Sequence, residues 1–244
     1  LGYMKIRIIS ENDAFMYIAA CGKTNSFYIY KFNKTTGAVT TLLDDSKAGY
    51  TNQCIVSEQS VKDTLVTFYA SRDSIAKTPG VHQTYIVKYV LDLATEKVTA
   101  TDVNLDVSLL GSTQFSLISD DNMGVGYELF TLQDGDKQYL SLVIYNLGMN
   151  SYLTVTRGAI YTFEMTDADN FKLVDATMHN PILYRGVMPM FNNKLLIFMN
   201  ETGLSFFNWN TAKKKYEKTS VYQVPTHYMG VDMNNNIWVQ QDDT

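Results

Sequence analysis

The sequence repeats one short pattern four times: "FNKTTGAV" at 32–39, "LDLATEKV" at 91–98, "YNLGMNSY" at 145–152 and "WNTAKKKY" at 209–216. In each stretch an Asn or Asp follows an apolar residue, and a second β-forming residue comes six positions later. The Asn and Asp residues are Asn33, Asp92, Asn146 and Asn210. Because such a side chain can hydrogen-bond its own backbone two residues on, each stretch predicts the turn of a β-hairpin.

Each predicted turn joins two candidate strands. The strands ahead of the turns read "SFYIYKF", "TYIVKYVL", "LSLVIY" and "LSFFNW", and three are followed by weaker strands that read "AVTTLL", "KVTATDV" and "YLTVT". A second type of hairpin precedes these, at 6–20, 54–70, 115–130 and 187–200, and again at 229–241. The sequence therefore predicts units of four strands, repeated about every 55 residues.

Four antiparallel strands at this period resemble the blades of a β-propeller. One twisted sheet cannot bury both of its faces, so stacking on neighbouring blades is the physical reason for the repeat. The resemblance rests on strand pattern, because no Trp-Asp dipeptide ends a blade and "SDDNMGVGY" at 119–127 only echoes the Asp-box of sialidase-like propellers. We expect an all-β chain with one propeller domain over 1–244 and about five blades, four plus a partial one. A β-sandwich is the alternative.

Two parts of the chain fit the repeat in more than one way. The stretch "IYTFEMTDADNFKLVD" at 160–175 is either the outer half of blade three, a fifth motif hairpin around Asp167, or an inserted arm. The last hairpin stops at "WVQQDDT". We therefore expect either closure by a strand borrowed from the other end of the chain, or a fragment of a longer protein. An incomplete ring would need an assembly partner.

Composition excludes several classes of function. The net charge is −5, and the only basic run is Lys213 to Lys215, so no nucleic-acid surface is expected. No stretch reaches the ~18 apolar residues of a membrane helix.

Cys21 and Cys54 have no CxxC spacing, and we expect two buried thiols, with a disulfide as the open alternative. His82, His179 and His227 are widely spaced and no cofactor motif is present, so no metal and no cofactor is expected.

Candidate binding residues cluster where loops lead into the innermost strands of a propeller. These are Tyr50, Asn52, Gln53, Gln114, Tyr184, Arg185, His227 and Tyr228, to which the long predicted loop at 70–83 adds Arg72, Asp73 and His82. Aromatic rings, amides and guanidinium groups on one rim suit a sugar or a peptide. The competing interpretation is that the tyrosines pack between blades.

Catalytic carboxylates are not evident on that rim. Glu58, Asp120, Asp121 and Asp232 fall in predicted turns at the opposite end, which suits a solvated turn better than a general acid. We therefore expect a non-enzymatic binding or structural module that recognises a protein or a glycan. An extracytoplasmic or virion location fits this interpretation. A glycoside hydrolase-like propeller is the alternative function.

Overall fold

The computed structural model describes residues 5–21, 27–45, 50–57, 59–75, 82–111, 125–146, 159–178, 184–200, 203–223, 226–232 and 236–241. These residues form twenty β-strands and one short 3-10 turn, Ser108–Leu110. Within the described ranges, no helix has the length and apolar character to cross a membrane. The predicted all-β class is confirmed.

The chain divides into two compact units. Unit 1 comprises Leu1–Asp121 and Thr166–Phe171, and unit 2 comprises Asn122–Met165 and Lys172–Thr244. Each unit is built from consecutive antiparallel sheets.

Unit 1 contains two sheets. The strands of sheet 1, in spatial order, are β1 (Lys5–Glu11), β2 (Phe15–Cys21), β3 (Phe27–Asn33) and β4 (Val39–Asp44). Sheet 2 has the order β5 (Tyr50–Val56), β7 (Leu65–Ile75), β8 (His82–Asp92) and β9 (Lys97–Asp102), with the short β6 (Ser60–Lys62) paired to β7. A further short strand, β10 (Asn104–Asp106), follows β9, and the Asn104 N–H donates to the Asp169 carbonyl at 2.8 Å.

Unit 2 contains the remaining sheets. Sheet 3 has the order β11 (Val125–Asp134), β12 (Lys137–Asn146), β13 (Ala159–Met165) and β14 (Asn170–Met178). The first two residues of β14 belong to unit 1. Sheet 4 has the order β15 (Tyr184–Met190), β16 (Leu195–Asn200), β17 (Gly203–Asn210) and β18 (Lys215–Tyr222), and sheet 5 consists of β19 (Thr226–Val231) and β20 (Ile237–Gln241). The predicted four repeats of four strands and a partial fifth are confirmed.

The predicted turn chemistry holds in three of the four motifs. The Asn33 side chain accepts from the N–H groups of Thr35 and Thr36, each at 2.9 Å. Asp92 accepts from the Ala94 N–H at 2.9 Å, and Asn210 accepts from the Lys213 N–H at 3.1 Å. These bonds close the outer hairpins of sheets 1, 2 and 4.

The third motif turn lies elsewhere than predicted. Asp167 accepts from the N–H groups of Asp169 and Asn170, each at 3.0 Å, so the outer hairpin of sheet 3 turns here and not after Asn146. The strand that pairs with β12 is β13, with Ile144 opposite Ala159. The stretch 160–175 is therefore the outer half of the third repeat, and the segment 147–158 lies outside the described residues.

Neighbouring sheets bury their facing sides together. Phe27 and Ile29 of sheet 1 share one core cluster with Phe68 and Tyr89 of sheet 2. In unit 2, the inner faces of sheets 3 and 4 form a second cluster, and the opposite face of sheet 4 packs against Met229, Ile237 and Val239 of sheet 5. Sheet-on-sheet burial therefore holds each unit together.

Two local expectations are corrected. The predicted long loop at 70–83 is largely a paired hairpin, because β7 and β8 stay in register from Leu65 opposite Asp92 to Ile75 opposite His82. Cys21 is disulfide-bonded, which replaces the expectation of two free thiols. The sequence contains one other cysteine, Cys54.

Candidate functional site

Sheet 1 carries apolar side chains on both of its faces. Along β3, Phe27 and Ile29 are fully buried against sheet 2, whereas the alternating Tyr28 and Tyr30 point to the other side and are half-buried. Because successive side chains of a strand alternate between faces, this run of aromatic and β-branched residues serves two surfaces. The second surface is the candidate site.

The second surface is assembled by the strand register. Tyr28 lies opposite Ala20, which lies opposite Ile6, and Tyr30 lies opposite Ile18, which lies opposite Ile8. We call this surface the sheet 1 outer face; its members are Ile6, Ile8, Met16, Ile18, Tyr28, Tyr30, Phe32 and Val39. Ile6 is 61% exposed, Ile8 47% and Val39 61%. Exposed patches of aliphatic and aromatic groups are common at interaction sites, which makes this face the candidate site.

The two tyrosines form a preorganised aromatic pair. Their ring centroids are 5.4 Å apart and their planes differ by 17°. Burial raises the pKa of the Tyr30 phenol above its ordinary value, and the neighbouring Tyr28 and Asp44 raise this pKa further. The Tyr30 phenol is therefore neutral at physiological pH and offers a flat ring with one hydroxyl donor.

Charged groups stand at the edges of the face. In the strand register, Asp44 of β4 lies opposite Tyr28 at one edge of the face. Glu11 of β1 lies opposite Met16 at another edge. The Glu11 carboxylate accepts from the Lys34 ammonium group at 3.0 Å. An apolar centre with a charged rim is the anatomy of a protein-binding surface, whereas sugar sites place polar groups among the aromatic rings.

A buried polar cluster lies on the other side of sheet 1, where it meets sheet 2. The Arg72 guanidinium donates to the Asp45 carboxylate at 2.6 Å and to the Asp45 carbonyl at 3.0 Å, and the Tyr89 hydroxyl donates to the same carboxylate at 3.0 Å. The Arg72 side chain is 3% exposed. Burial raises the pKa of Tyr89, while the adjacent Arg72 opposes that rise. Arg72 thus fixes the segment after β4 against β7.

The other predicted binding residues lie at strand positions or outside the described part of the chain. The structure places Tyr50, Asn52 and Gln53 in β5, Asp73 in β7, His82 at the start of β8, Tyr184 and Arg185 at the start of β15, and His227 and Tyr228 in β19. Gln114 lies outside the described residues, as do the side chains of these nine. Their role on a common rim remains a prediction.

One of the four carboxylates set aside as turn residues is described. Asp232 accepts from the Asn236 N–H at 2.9 Å and from the indole N–H of Trp238 at 3.0 Å. These bonds close the β19–β20 hairpin, as the turn interpretation predicts. Glu58, Asp120 and Asp121 lie outside the described residues. Among the residues that are described, no group of three or more His, Cys, Asp or Glu side chains is arranged to hold a metal ion.

Comparisons with known proteins bear on the fold. No protein-family model matches the chain. No curated protein matches its sequence. Among solved structures, the chain is similar to a GH32 beta-fructofuranosidase from Bombyx mori, with a TM-score of 0.55 and 7% identity over 91% of this chain and 50% of that one. It is also similar to the WD40 domain of SCAP from fission yeast, with a TM-score of 0.50 and 10% identity over 94% of this chain and 45% of that one.

Both of these solved proteins contain β-propellers. The chain has a β-propeller fold. At identities this low the similarity shows the fold alone, since one fold hosts many unrelated functions. The chain spans about half the length of each of the two solved chains.

The sheet 1 outer face was missed by sequence reasoning, although a signal for it is present. In "FYIYKF" at 27–32, apolar and aromatic residues fill both faces of the strand, where a sheet with one solvated face would alternate with polar residues. "KIRIIS" at 5–10 adds Ile6 and Ile8 on the same side. Reading both faces of each strand separately would have identified this surface.

Proposed function

We propose that the chain is a non-enzymatic binding module that recognises another protein through the sheet 1 outer face. The observation that carries this proposal is the stacked Tyr28–Tyr30 pair beside Ile6 and Ile8, which are 61% and 47% exposed. Aliphatic groups of this size gain free energy only when another apolar surface covers them. A protein partner supplies such a surface, and a glycan does so poorly.

The composition of the face supports a hot-spot type of contact. Tyrosine is enriched among residues that dominate interface energetics, because its ring is large, rigid and ends in a hydroxyl group. Ile8 and Tyr30 are linked through Ile18 in one row of the sheet, so their side chains present one continuous surface. Pre-positioned side chains reduce the entropy lost on binding.

The loops that lead into the innermost strands form a second proposed binding surface, suited to a peptide or a glycan. Tyr50 is the first residue of β5 and Tyr184 is the first residue of β15, so both occupy the same position at the start of an inner strand. The proposal takes each tyrosine by itself, Tyr50 within unit 1 and Tyr184 within unit 2.

We further propose an extracytoplasmic or virion location. The disulfide at Cys21 supports it, because structural disulfides persist in oxidising compartments and are rare in the cytosol.

The proposed function is tested by capture of a protein partner with matched surface variants. Ile8→Asp places a charge at the centre of the sheet 1 outer face, and Val61→Asp places the same charge at a 59% exposed position of β6 in sheet 2. We expect a partner retained by the wild type and by Val61→Asp to be lost with Ile8→Asp. Retention of the same proteins by all three chains would contradict the proposal, and glycan-array binding by all three would assign a sugar ligand instead.

A further inference from the structure

Unit 2 contains three buried hydroxyl groups that make no hydrogen bond within the described part of the chain. Ser141, Thr162 and Ser205 are each 0% exposed. None of their hydroxyl oxygens has a hydrogen-bond partner among the residues that the structure describes. A buried hydroxyl without a hydrogen-bond partner destabilises the folded state, and native proteins keep few such groups.

The three hydroxyls belong to one packed region. Ser141 of β12 lies opposite Phe130 on one side and Thr162 on the other. Ser205 of β17 lies opposite Phe198 of β16. Phe130 of sheet 3 and Phe198 of sheet 4 belong to the same core cluster, so the row that carries Ser141 and Thr162 and the row that carries Ser205 border the same interior.

The surroundings restrict what could satisfy these groups. Val143, Ile160 and Phe207 belong to the cluster that borders the hydroxyls, and these side chains are fully or almost fully buried. An ion would lose its hydration there without a counter-charge, whereas a neutral ligand would not. A water molecule both donates and accepts, as each hydroxyl does, and buried water commonly makes about three hydrogen bonds to otherwise unsatisfied groups.

We propose that ordered water bridges the hydroxyls of Ser141, Thr162 and Ser205, and so forms a polar connection between sheets 3 and 4. The proposal is independent of the proposed binding function, because it concerns the interior of unit 2. It assigns these residues a structural role that their positions in apolar strands do not suggest.

The sign of a stability change separates a hydrated site from a dry one. In the full chain, Ser141→Ala, Thr162→Val and Ser205→Ala each remove one hydroxyl at nearly constant volume. If water bridges the site, each change leaves that water one partner short, and we expect the unfolding equilibrium constant in urea to rise about tenfold. Ser220→Ala in β18, where the side chain is exposed, is the control and should leave the constant unchanged. Higher stability in the single variants would overturn the proposal, because removal of an unsatisfied dry hydroxyl is favourable.

Coupling between the sheets provides the second criterion. Thr162 and Ser205 lie in different sheets, so a bridge predicts that the double variant Thr162→Val/Ser205→Ala loses less than the sum of the single losses. Strict additivity would overturn the bridge. A crystal structure of the wild type tests for the bridging water directly and does not depend on whether the variants fold. Ordered water within hydrogen-bond distance of all three hydroxyls supports the proposal, and direct apolar contact around them overturns it.

Discussion

The indole N–H of Trp209 in sheet 4 donates to the carboxylate of Asp134 in sheet 3 over 2.8 Å. The same carboxylate accepts from the ammonium group of Lys194 at 3.0 Å, and its side chain is 9% exposed. The Trp209 ring also packs on Tyr139, with ring centroids 4.9 Å apart. One acidic residue at the end of β11 thus ties β17 and the β15–β16 turn of sheet 4 to sheet 3.

This tie predicts a pH-dependent contribution to stability. The hydrogen bonds from Trp209, Thr211 and Lys194 lower the pKa of Asp134, so the folded state holds the carboxylate ionised to lower pH than the unfolded state does. The contribution is therefore fully present above the unfolded pKa of about 4 and is lost as the pH falls through the folded value. We expect Asp134→Asn to lower the urea midpoint at pH 7 and to differ less from the wild type below about pH 4.

The control for this prediction is Asp136→Asn, an exposed carboxylate in the same β11–β12 turn. It should leave the midpoint nearly unchanged at pH 7. A constant difference between wild type and Asp134→Asn from pH 7 to pH 2.5 would show that the loss is steric and not electrostatic.

The buried Arg72–Asp45 pair predicts an asymmetric response to mutation. Removal of one partner leaves an uncompensated charge in the interior, which typically costs about 3–5 kcal/mol of unfolding free energy. We expect Asp45→Asn and Arg72→Met each to destabilise the protein strongly in urea unfolding. The double variant should be less destabilised than the two losses combined, because no isolated charge remains.

Tyr89→Phe is the matched smaller change in the same cluster. It removes the hydrogen bond that the Tyr89 hydroxyl donates to Asp45 and the longer one that it accepts from Arg72 at 3.3 Å, and it should cost about 1 kcal/mol. If Arg72→Met proved no more harmful than Tyr89→Phe, the ion pair would not be the stabilising element of this cluster.

The disulfide at Cys21 predicts the absence of titratable thiols. The chain has two cysteines, so denaturation without a reductant should expose no thiol to Ellman's reagent. Cys21→Ser should lower the unfolding free energy by about 2–4 kcal/mol, and a reductant should weaken the wild type and leave the variant unaffected. Two reactive thiols per unreduced chain would contradict the assignment.

The two proposed binding surfaces can be separated by one pair of variants. Tyr184→Ala/Tyr228→Ala removes two of the predicted rim tyrosines, and Ile8→Asp alters the sheet 1 outer face. If the outer face carries protein recognition, the double tyrosine variant should keep the partner while Ile8→Asp loses it. Loss of a glycan or peptide ligand in the double variant alone would assign that ligand to the rim.

The sequence predicted the repeat correctly because its turns are local. Asn33, Asp92 and Asn210 hydrogen-bond their own backbone within three residues, and residues this close need no information from the rest of the chain. The third turn failed for the opposite reason. Asn146 and Asp167 both fit the spacing, and only the long-range pairing of β12 with β13 selects Asp167.

Long-range contacts also explain the misread loop. Ser71, Arg72 and Asp73 form a polar run that is typical of a loop, but Arg72 is buried because Asp45, 27 residues earlier, neutralises it. The local sequence pattern did not predict the sheet 1 outer face for a related reason. Local pattern shows that Tyr28 and Tyr30 share a face, while only the register with β1 and β2 adds Ile6, Ile8 and Ile18 to them.

The two tryptophans of this chain lie in contrasting surroundings. Trp209 sits between the rings of Tyr139 and Tyr216, whereas Trp238 of sheet 5 is 64% exposed. Trp209 is partly buried, so their fluorescence should separate into a blue-shifted emission that iodide quenches weakly and a red-shifted emission that iodide quenches strongly. The protein thus carries two intrinsic optical reporters, through which the melting of the two-stranded sheet can be followed apart from that of its four-stranded neighbour.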